Sequence, residues 1–114
     1  MEIVWNKFKS YRAINCGMGG DKTQHVLWRA KQMFLPPTVN YIVIFSGANN
    51  IDRDSPRDIA RGILSIAAAF KKKSLRPKII ISGLIPRDLN WSARRKNIYE
   101  TNNIIENICK NDSQ

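Results

Sequence analysis

Apolar residues occur along the chain in short continuous runs that alternate with longer stretches of helical spacing. The continuous runs cover residues 11–16, 39–46 and 78–82, and a glycine follows each of them. Short runs rich in β-branched residues and bounded by turn residues are typical of strands buried in a parallel sheet. The pattern therefore predicts three strands, of which 39–46 (VNYIVIFS) is the strongest and is expected to be buried on both faces.

The first predicted helix follows the glycine-rich segment 17–20, with Asp21 or Thr23 as its N-cap residue. It is expected to end before Pro36. Four apolar residues at helical spacing form its predicted buried face: Val26, Leu27, Ala30 and Phe34.

Two further helices are predicted from the same spacing. Ser55 is the expected cap of the second, and Pro56 suits its first position. The predicted buried face of this helix consists of Ile59, Ile63, Ile66, Ala67 and Phe70. The third helix is predicted over residues 92–110, with Ile98, Ile104, Ile105 and Ile108 buried.

Strand-then-helix units in succession indicate an α/β fold with a parallel sheet. We predict one unit over residues 1–110 and a frayed tail over 111–114. In such sheets ligands bind outside the carboxyl ends of the strands. Those ends are residues 17–21, 47–50 and 83–87.

The composition fits a globular protein, with 43% hydrophobic and 25% charged residues. The longest uncharged apolar stretch, residues 63–70, is too short to span a bilayer, and no signal-peptide pattern opens the chain. Two cysteines make no disulfide framework. We therefore expect a cytoplasmic protein without a membrane span.

The charge is unusual, because 19 Lys and Arg against 9 Asp and Glu give a formal net charge of +10. Such an excess favours polyanionic partners, including nucleic acid. The charges are spread along the chain, however, and only the lysines at 71–73 are dense. Cations are favourable at a helix C-terminus, so a solvated helix end is the simpler interpretation of these lysines.

Three segments at the predicted strand ends resemble a known family. They are NCGMGGDKTQHVLWR (15–29), SGANN (46–50) and GLIPR (83–87). Together they resemble the SGNH (GDSL-type) hydrolases, above all the catalytic subunits of intracellular platelet-activating-factor acetylhydrolase. They are also similar to esterase domains carried by some retroelements. The resemblance covers essentially the whole chain. It implies a three-layer α/β/α, flavodoxin-like fold, here incomplete, and hydrolysis of a small acyl ester without a cofactor or metal.

The resemblance also assigns residues to an oxyanion hole. Gly20 matches a backbone N–H donor, and Asn49 matches a side-chain amide donor. The remaining matched motif positions are Asn15, Gly17, Gly19, Asp21, His25, Arg29, Gly47, Pro86 and Arg87. Glycine lets the backbone approach an anionic oxygen closely, which agrees with this role. Without the resemblance, the same glycines and asparagines would be read as turn formers.

The resemblance places the nucleophile in a Gly-Asp-Ser motif before these segments, and the base and its orienting acid in an Asp-x-x-His motif after them. This chain contains neither motif. We therefore expect a truncated esterase domain that is inactive alone. His25, the only histidine, is expected to hydrogen-bond or pack within its helix, and an ion pair with Asp21 is plausible. Cys16 is expected to be a small buried core residue, although a stabilised thiolate is the alternative.

Two other functions stay open from the sequence. One is a basic, retroelement-derived module that binds nucleic acid through the lysines at 71–73. The other is a pseudoenzyme that forms a homo- or hetero-oligomer with a relative through its sheet. Truncation would also remove both lateral neighbours of the strand at 11–16, whereas 39–46 and 78–82 can still pair directly.

Overall fold

A computed structural model describes residues 12–111 of the chain. Three helices lie within this range: α1 (Thr23–Gln32), α2 (Pro56–Lys73) and α3 (Ala93–Asn111). Two strands, β1 (Tyr41–Ile44) and β2 (Lys78–Ile81), alternate with the helices, and a 3-10 turn covers Ala48–Asn50. The observed order confirms the predicted alternation from α1 onward.

The two strands pair in parallel, as predicted, and so confirm an α/β fold. Tyr41 lies opposite Lys78 and Ile44 opposite Ile81. The ladder continues past β2, because the Ser82 N–H donates to the Ile44 carbonyl at 2.9 Å. A parallel pair needs a crossover connection, and α2 provides it.

Helix α2 is the centre of the core and packs against α1, α3 and β1. Its cap is the predicted one, since the Ser55 hydroxyl accepts a hydrogen bond from the Asp58 N–H at 3.2 Å. All five side chains predicted for its buried face are buried: Ile59, Ile63, Ile66, Ala67 and Phe70. Close packing against α1 depends on Gly62, where a Cβ would lie 2.8 Å from Thr23 Cβ.

Helix α1 begins one residue away from either predicted cap. Its N-cap residue is Lys22, and Thr23 is already helical. The Thr23 N–H finds its acceptor in a residue that is distant in the sequence, because it donates to the Asn50 side-chain oxygen at 3.0 Å. The helix ends at Gln32, so Phe34 lies beyond it and is 79% exposed instead of buried.

Helix α3 follows the prediction with one difference at its C-terminal half. Ile98 and Ile105 are buried, and Ile104 packs partly buried against the core. Ile108, which was expected in the core, is 42% exposed. Asn111 is the last helical residue, and the rest of the predicted tail, residues 112–114, lies outside the described range.

One face of the sheet is covered and the other is exposed. Ile44, Ile79 and Ile81 pack with the helical core. Tyr41 and Val43 on β1 and Ile80 on β2 are exposed, so the prediction that β1 is buried on both faces is wrong. Within residues 12–111 the architecture therefore has two layers, because none of the described helices covers this second face.

The predicted strand at residues 11–16 is also wrong over its described part. Tyr11 lies outside the described range, and residues 13–16 form no regular structure. Arg12 has a left-handed φ of 57°, Ile14 is 81% exposed, and Cys16 is exposed, so Cys16 is not a core residue. A strand needs a neighbour to pair its backbone groups, and the described part of the sheet offers none here.

None of the three described helices is both long enough and apolar enough to cross a membrane.

Candidate functional site

Two glycine-containing loops meet next to the start of α1. The first contains Gly20, whose φ is +81°, and the second contains Gly47, whose φ is +112°. The Asn49 Nδ2 amide crosses between them and donates to the Asp21 carbonyl at 2.9 Å. The two residues predicted as oxyanion donors, Gly20 and Asn49, are therefore brought to adjoining positions.

The Asn49 side chain is exposed and only partly used. Its amide nitrogen carries two N–H donors, and the Asp21 carbonyl accepts one of them. Over residues 12–111 the second N–H has no protein acceptor. A neutral amide donor that faces solvent at a strand end can bind a negatively charged oxygen without the cost of burying a charge.

The first loop is held by Arg29 of α1. Its guanidinium donates to the Cys16 carbonyl at 3.3 Å and forms an ion pair with the Asp21 carboxylate. Asn15 adds a local turn, because its side-chain oxygen accepts from the Gly17 N–H at 2.9 Å. Gly19 follows in an open position, with nothing within 4 Å of an added Cβ. Four of the matched positions, Asn15, Gly17, Asp21 and Arg29, thus shape this loop.

His25 has a structural role. Its Nδ1 accepts a hydrogen bond from the Lys22 N–H at 3.0 Å, which satisfies one of the free donors at the start of α1. The predicted hydrogen-bonding role is confirmed. The ion pair with Asp21 that the spacing made plausible does not form among the described residues, because Asp21 pairs with Arg29 instead.

Gly47 is required for packing as well as for its backbone angle. A Cβ at this position would lie 2.9 Å from Ile59 Cγ2 and 3.3 Å from Ile63 Cδ1. At Gly20 nothing lies within 4 Å of the same position, so only its positive φ favours glycine there. The second loop is therefore pressed against α2, which fixes the place of the adjoining Asn49.

Asn50 is a residue whose importance the sequence did not reveal. It is 1% exposed, and its side-chain oxygen accepts from the Thr23 N–H. Its Nδ2 lies 2.7 Å from Asp54 Oδ2 and 3.1 Å from Gln24 Oε1. Asn50 thus joins the start of α1 to the second loop, directly beside Asn49.

The third matched segment reaches the second loop through Arg87. Its Nη1 donates to the Ala48 carbonyl at 3.3 Å, whereas Pro86 is exposed. Asn102 of α3, also missed from the sequence, binds both sides of the Leu84 backbone. Its Oδ1 accepts from the Leu84 N–H at 2.8 Å, and its Nδ2 donates to the Leu84 carbonyl at 3.0 Å.

The described residues provide donors and backbone shape at this site, but no metal centre. No group of three His, Cys, Asp or Glu side chains between residues 12 and 111 is arranged to hold a metal ion.

Comparison with known proteins identifies relatives of the chain. No family model matches the sequence. The human platelet-activating factor acetylhydrolase IB subunit alpha2 is 34% identical over 107 residues, which is 90% of this chain and 45% of the relative. The chicken alpha2 subunit is 32% identical over 107 residues, with the same coverage. The rat alpha1 subunit is 29% identical over 106 residues, 90% of this chain and 44% of the relative.

The parallel α/β unit and these relatives place the chain in a hydrolase family of α/β type. Its homologues in that family are the platelet-activating factor acetylhydrolase IB subunits. The chain spans about half the length of the curated relatives that it matches.

Proposed function

We propose that the chain supplies the oxyanion-binding half of an SGNH-type esterase site that hydrolyses a small acyl ester. In this proposal the Gly20 backbone N–H and the Asn49 amide donate to the anionic oxygen of the tetrahedral intermediate. The serine, histidine and aspartate of the triad lie outside these 114 residues. The proposal includes the complete three-layer fold, in which elements beyond residues 12–111 cover the exposed face of β1 and β2.

The single observation that best supports this proposal is the hydrogen bond from Asn49 Nδ2 to the Asp21 carbonyl. It ties the Asn49 amide to the residue that follows Gly20, so the two loops that carry the proposed donors adjoin each other. The free second N–H of Asn49 leaves a donor for a ligand oxygen. The relatives' name, acetylhydrolase, agrees with acyl-ester chemistry.

We expect the 114-residue chain alone to hydrolyse p-nitrophenyl acetate no faster than buffer, because donors without a nucleophile leave only a small residual effect. A chimera of the human alpha2 subunit, in which this chain replaces the matched segment of 107 residues, is expected to hydrolyse the same ester. Both proteins are assayed side by side, with the unmodified human subunit as the positive control.

Two results would contradict the proposal. One is turnover by the isolated chain that Asn49→Ala abolishes. The other is a chimera that matches the human subunit in circular dichroism and thermal unfolding, yet lacks esterase activity. The second result would mean that these loops no longer serve an oxyanion hole.

A second candidate function is pairing with a full-length relative, and the exposed sheet face favours it. Four large apolar side chains share this face, each at least 48% exposed: Tyr41, Val43, Phe45 and Ile80. Val43 and Ile80 lie directly opposite each other in the register. An apolar sheet face of this kind is usually covered by another element, which in this case comes from the relative.

We expect the tagged chain to co-elute with the human alpha2 subunit in size-exclusion chromatography. The double substitution Val43→Lys and Ile80→Lys is expected to abolish co-elution, because it places two charges in the centre of the buried contact. Leu89→Lys is the matched control, since Leu89 is 98% exposed and lies outside the sheet. Equal co-elution of both variants would exclude the sheet face as the contact.

A further inference from the structure

A groove separates the outer surfaces of α2 and α3, and it shares no residue with the candidate site. Its floor is mostly apolar and consists of Ala60, Leu64, Ala68, Ile104 and Ile108, with Ser65 also in the lining. The volume is about 360 Å³, within the range of roughly 300–1,000 Å³ that is typical of binding pockets. The groove is therefore large enough to take side chains of a partner.

The floor residues have the spacing of a helix-binding surface. Ala60, Leu64 and Ala68 follow one another at intervals of four along α2, and Ile104 and Ile108 do so along α3. Alanine leaves a shallow channel, into which the side-chain ridge of a third helix fits. Ile108 is 42% exposed although it is large and apolar, so the channel offers area that a partner can bury.

Two arginines on α2 line one side of this groove. Arg57 and Arg61 lie one helical turn apart, and the lining contains no acidic residue. Over residues 12–111 neither guanidinium forms an ion pair. Glu106 of α3 does not serve them, because it pairs with Lys110 at 3.1 Å. The rim therefore carries two positive charges that are free to bind carboxylates.

From this combination we propose that the groove binds an acidic amphipathic helix of a partner protein. The apolar face of that helix packs on the alanine and isoleucine floor, and its carboxylates pair with Arg57 and Arg61. A nucleic acid fits less well, because phosphate recognition relies on many cations and gains little from five apolar floor residues. A membrane surface fits less well because the floor is recessed between two helices.

The test uses a designed helical peptide of about 14 residues, four helical turns, with Leu on one face and Glu on the other. It is titrated into the ¹⁵N-labelled chain and followed by amide chemical shifts. Shifts are expected at the floor residues, such as Ala60, Leu64 and Ile104. A peptide with Lys in place of Glu is expected to leave these amides unchanged.

Variants of the chain distinguish the contribution of the two arginine charges to binding from the contribution of the apolar floor. The double charge reversal Arg57→Glu and Arg61→Glu is expected to weaken binding of the Glu peptide by at least about 10-fold. The same variant is expected to bind the Lys peptide. Ala68→Arg fills the channel while adding positive charge, and it is expected to abolish binding of the Glu peptide. Lys31→Glu, a charge reversal on the exposed surface of α1, is the control and is expected to bind normally.

The proposal is overturned by any of three results, provided that the variants keep the dispersed amide spectrum of the folded chain. The first is the absence of groove shifts at millimolar peptide. The second is equal binding of the Glu and Lys peptides. The third is a stronger response of the same amides to a DNA duplex of about 12 base pairs or to phosphatidylserine vesicles, which would assign the groove to another polyanion.

Discussion

Replacing Asn49 with alanine in the chimera with the human alpha2 subunit is expected to lower kcat for p-nitrophenyl acetate by about 10²–10³-fold, the usual effect of removing one oxyanion donor. KM is expected to change little, because the negative charge develops only in the transition state. The substitution removes a solvent-exposed amide whose one hydrogen bond goes to the Asp21 carbonyl. Steady-state kinetics with matched protein concentrations measure both constants.

The control for this substitution is Asn90→Ala. Asn90 is exposed and lies in the connection between β2 and α3, so its amide should not affect the reaction. An Asn49→Ala chimera with unchanged kcat would remove Asn49 from the oxyanion hole. A rise in KM alone would instead assign the amide to ground-state binding of the ester.

Asn50→Ala is expected to lower the free energy of unfolding of the chain by about 2–4 kcal/mol, since buried polar partners lose their hydrogen bonds. The Thr23 N–H loses its acceptor, and the Asp54 carboxylate loses a donor at 2.7 Å. The Asn50 side chain is almost completely buried, so water cannot readily replace it. Urea unfolding monitored by circular dichroism measures the loss.

Asn49→Ala in the same chain is the natural comparison, because it is the adjacent asparagine. It is expected to change the free energy of unfolding by less than about 1 kcal/mol, since its single hydrogen bond lies at the surface. The two neighbouring asparagines would then have different roles, with Asn49 as a donor for the reaction and Asn50 as a structural link. Equal losses at both positions would contradict this division.

The parts of the fold that were predicted correctly are those whose own segment of sequence indicates the structure. Ser55 and Pro56 mark the start of α2 in the sequence, and the helical spacing of its isoleucines defines the buried face. The prediction of a strand at 11–16 was wrong over its described part, because strand formation depends on a paired neighbour and not on local sequence alone. The prediction that β1 is buried on both faces was wrong for the same reason, since an apolar run does not indicate which element will cover it.

The candidate site was predictable only as far as the family resemblance assigned its residues. Gly20 and Asn49 were named from it, and their loops do meet. Asn50 and Asn102 were not found, because their backbone partners lie 27 and 18 residues away in the sequence. A hydrogen bond over such a separation leaves no periodic or neighbouring pattern that a reader of the sequence could use.

The double hydrogen bond between Asn102 and the Leu84 backbone has a consequence for how the molecule opens. Leu84 lies outside every helix and strand, yet its N–H and its carbonyl are both bound by α3. We therefore expect the Leu84 amide proton to exchange with water when α3 separates from the loop, a motion that also exposes Ile98 and Ile105. The loop after β2 therefore belongs to the same cooperative unit as the core, although by its backbone conformation it is irregular.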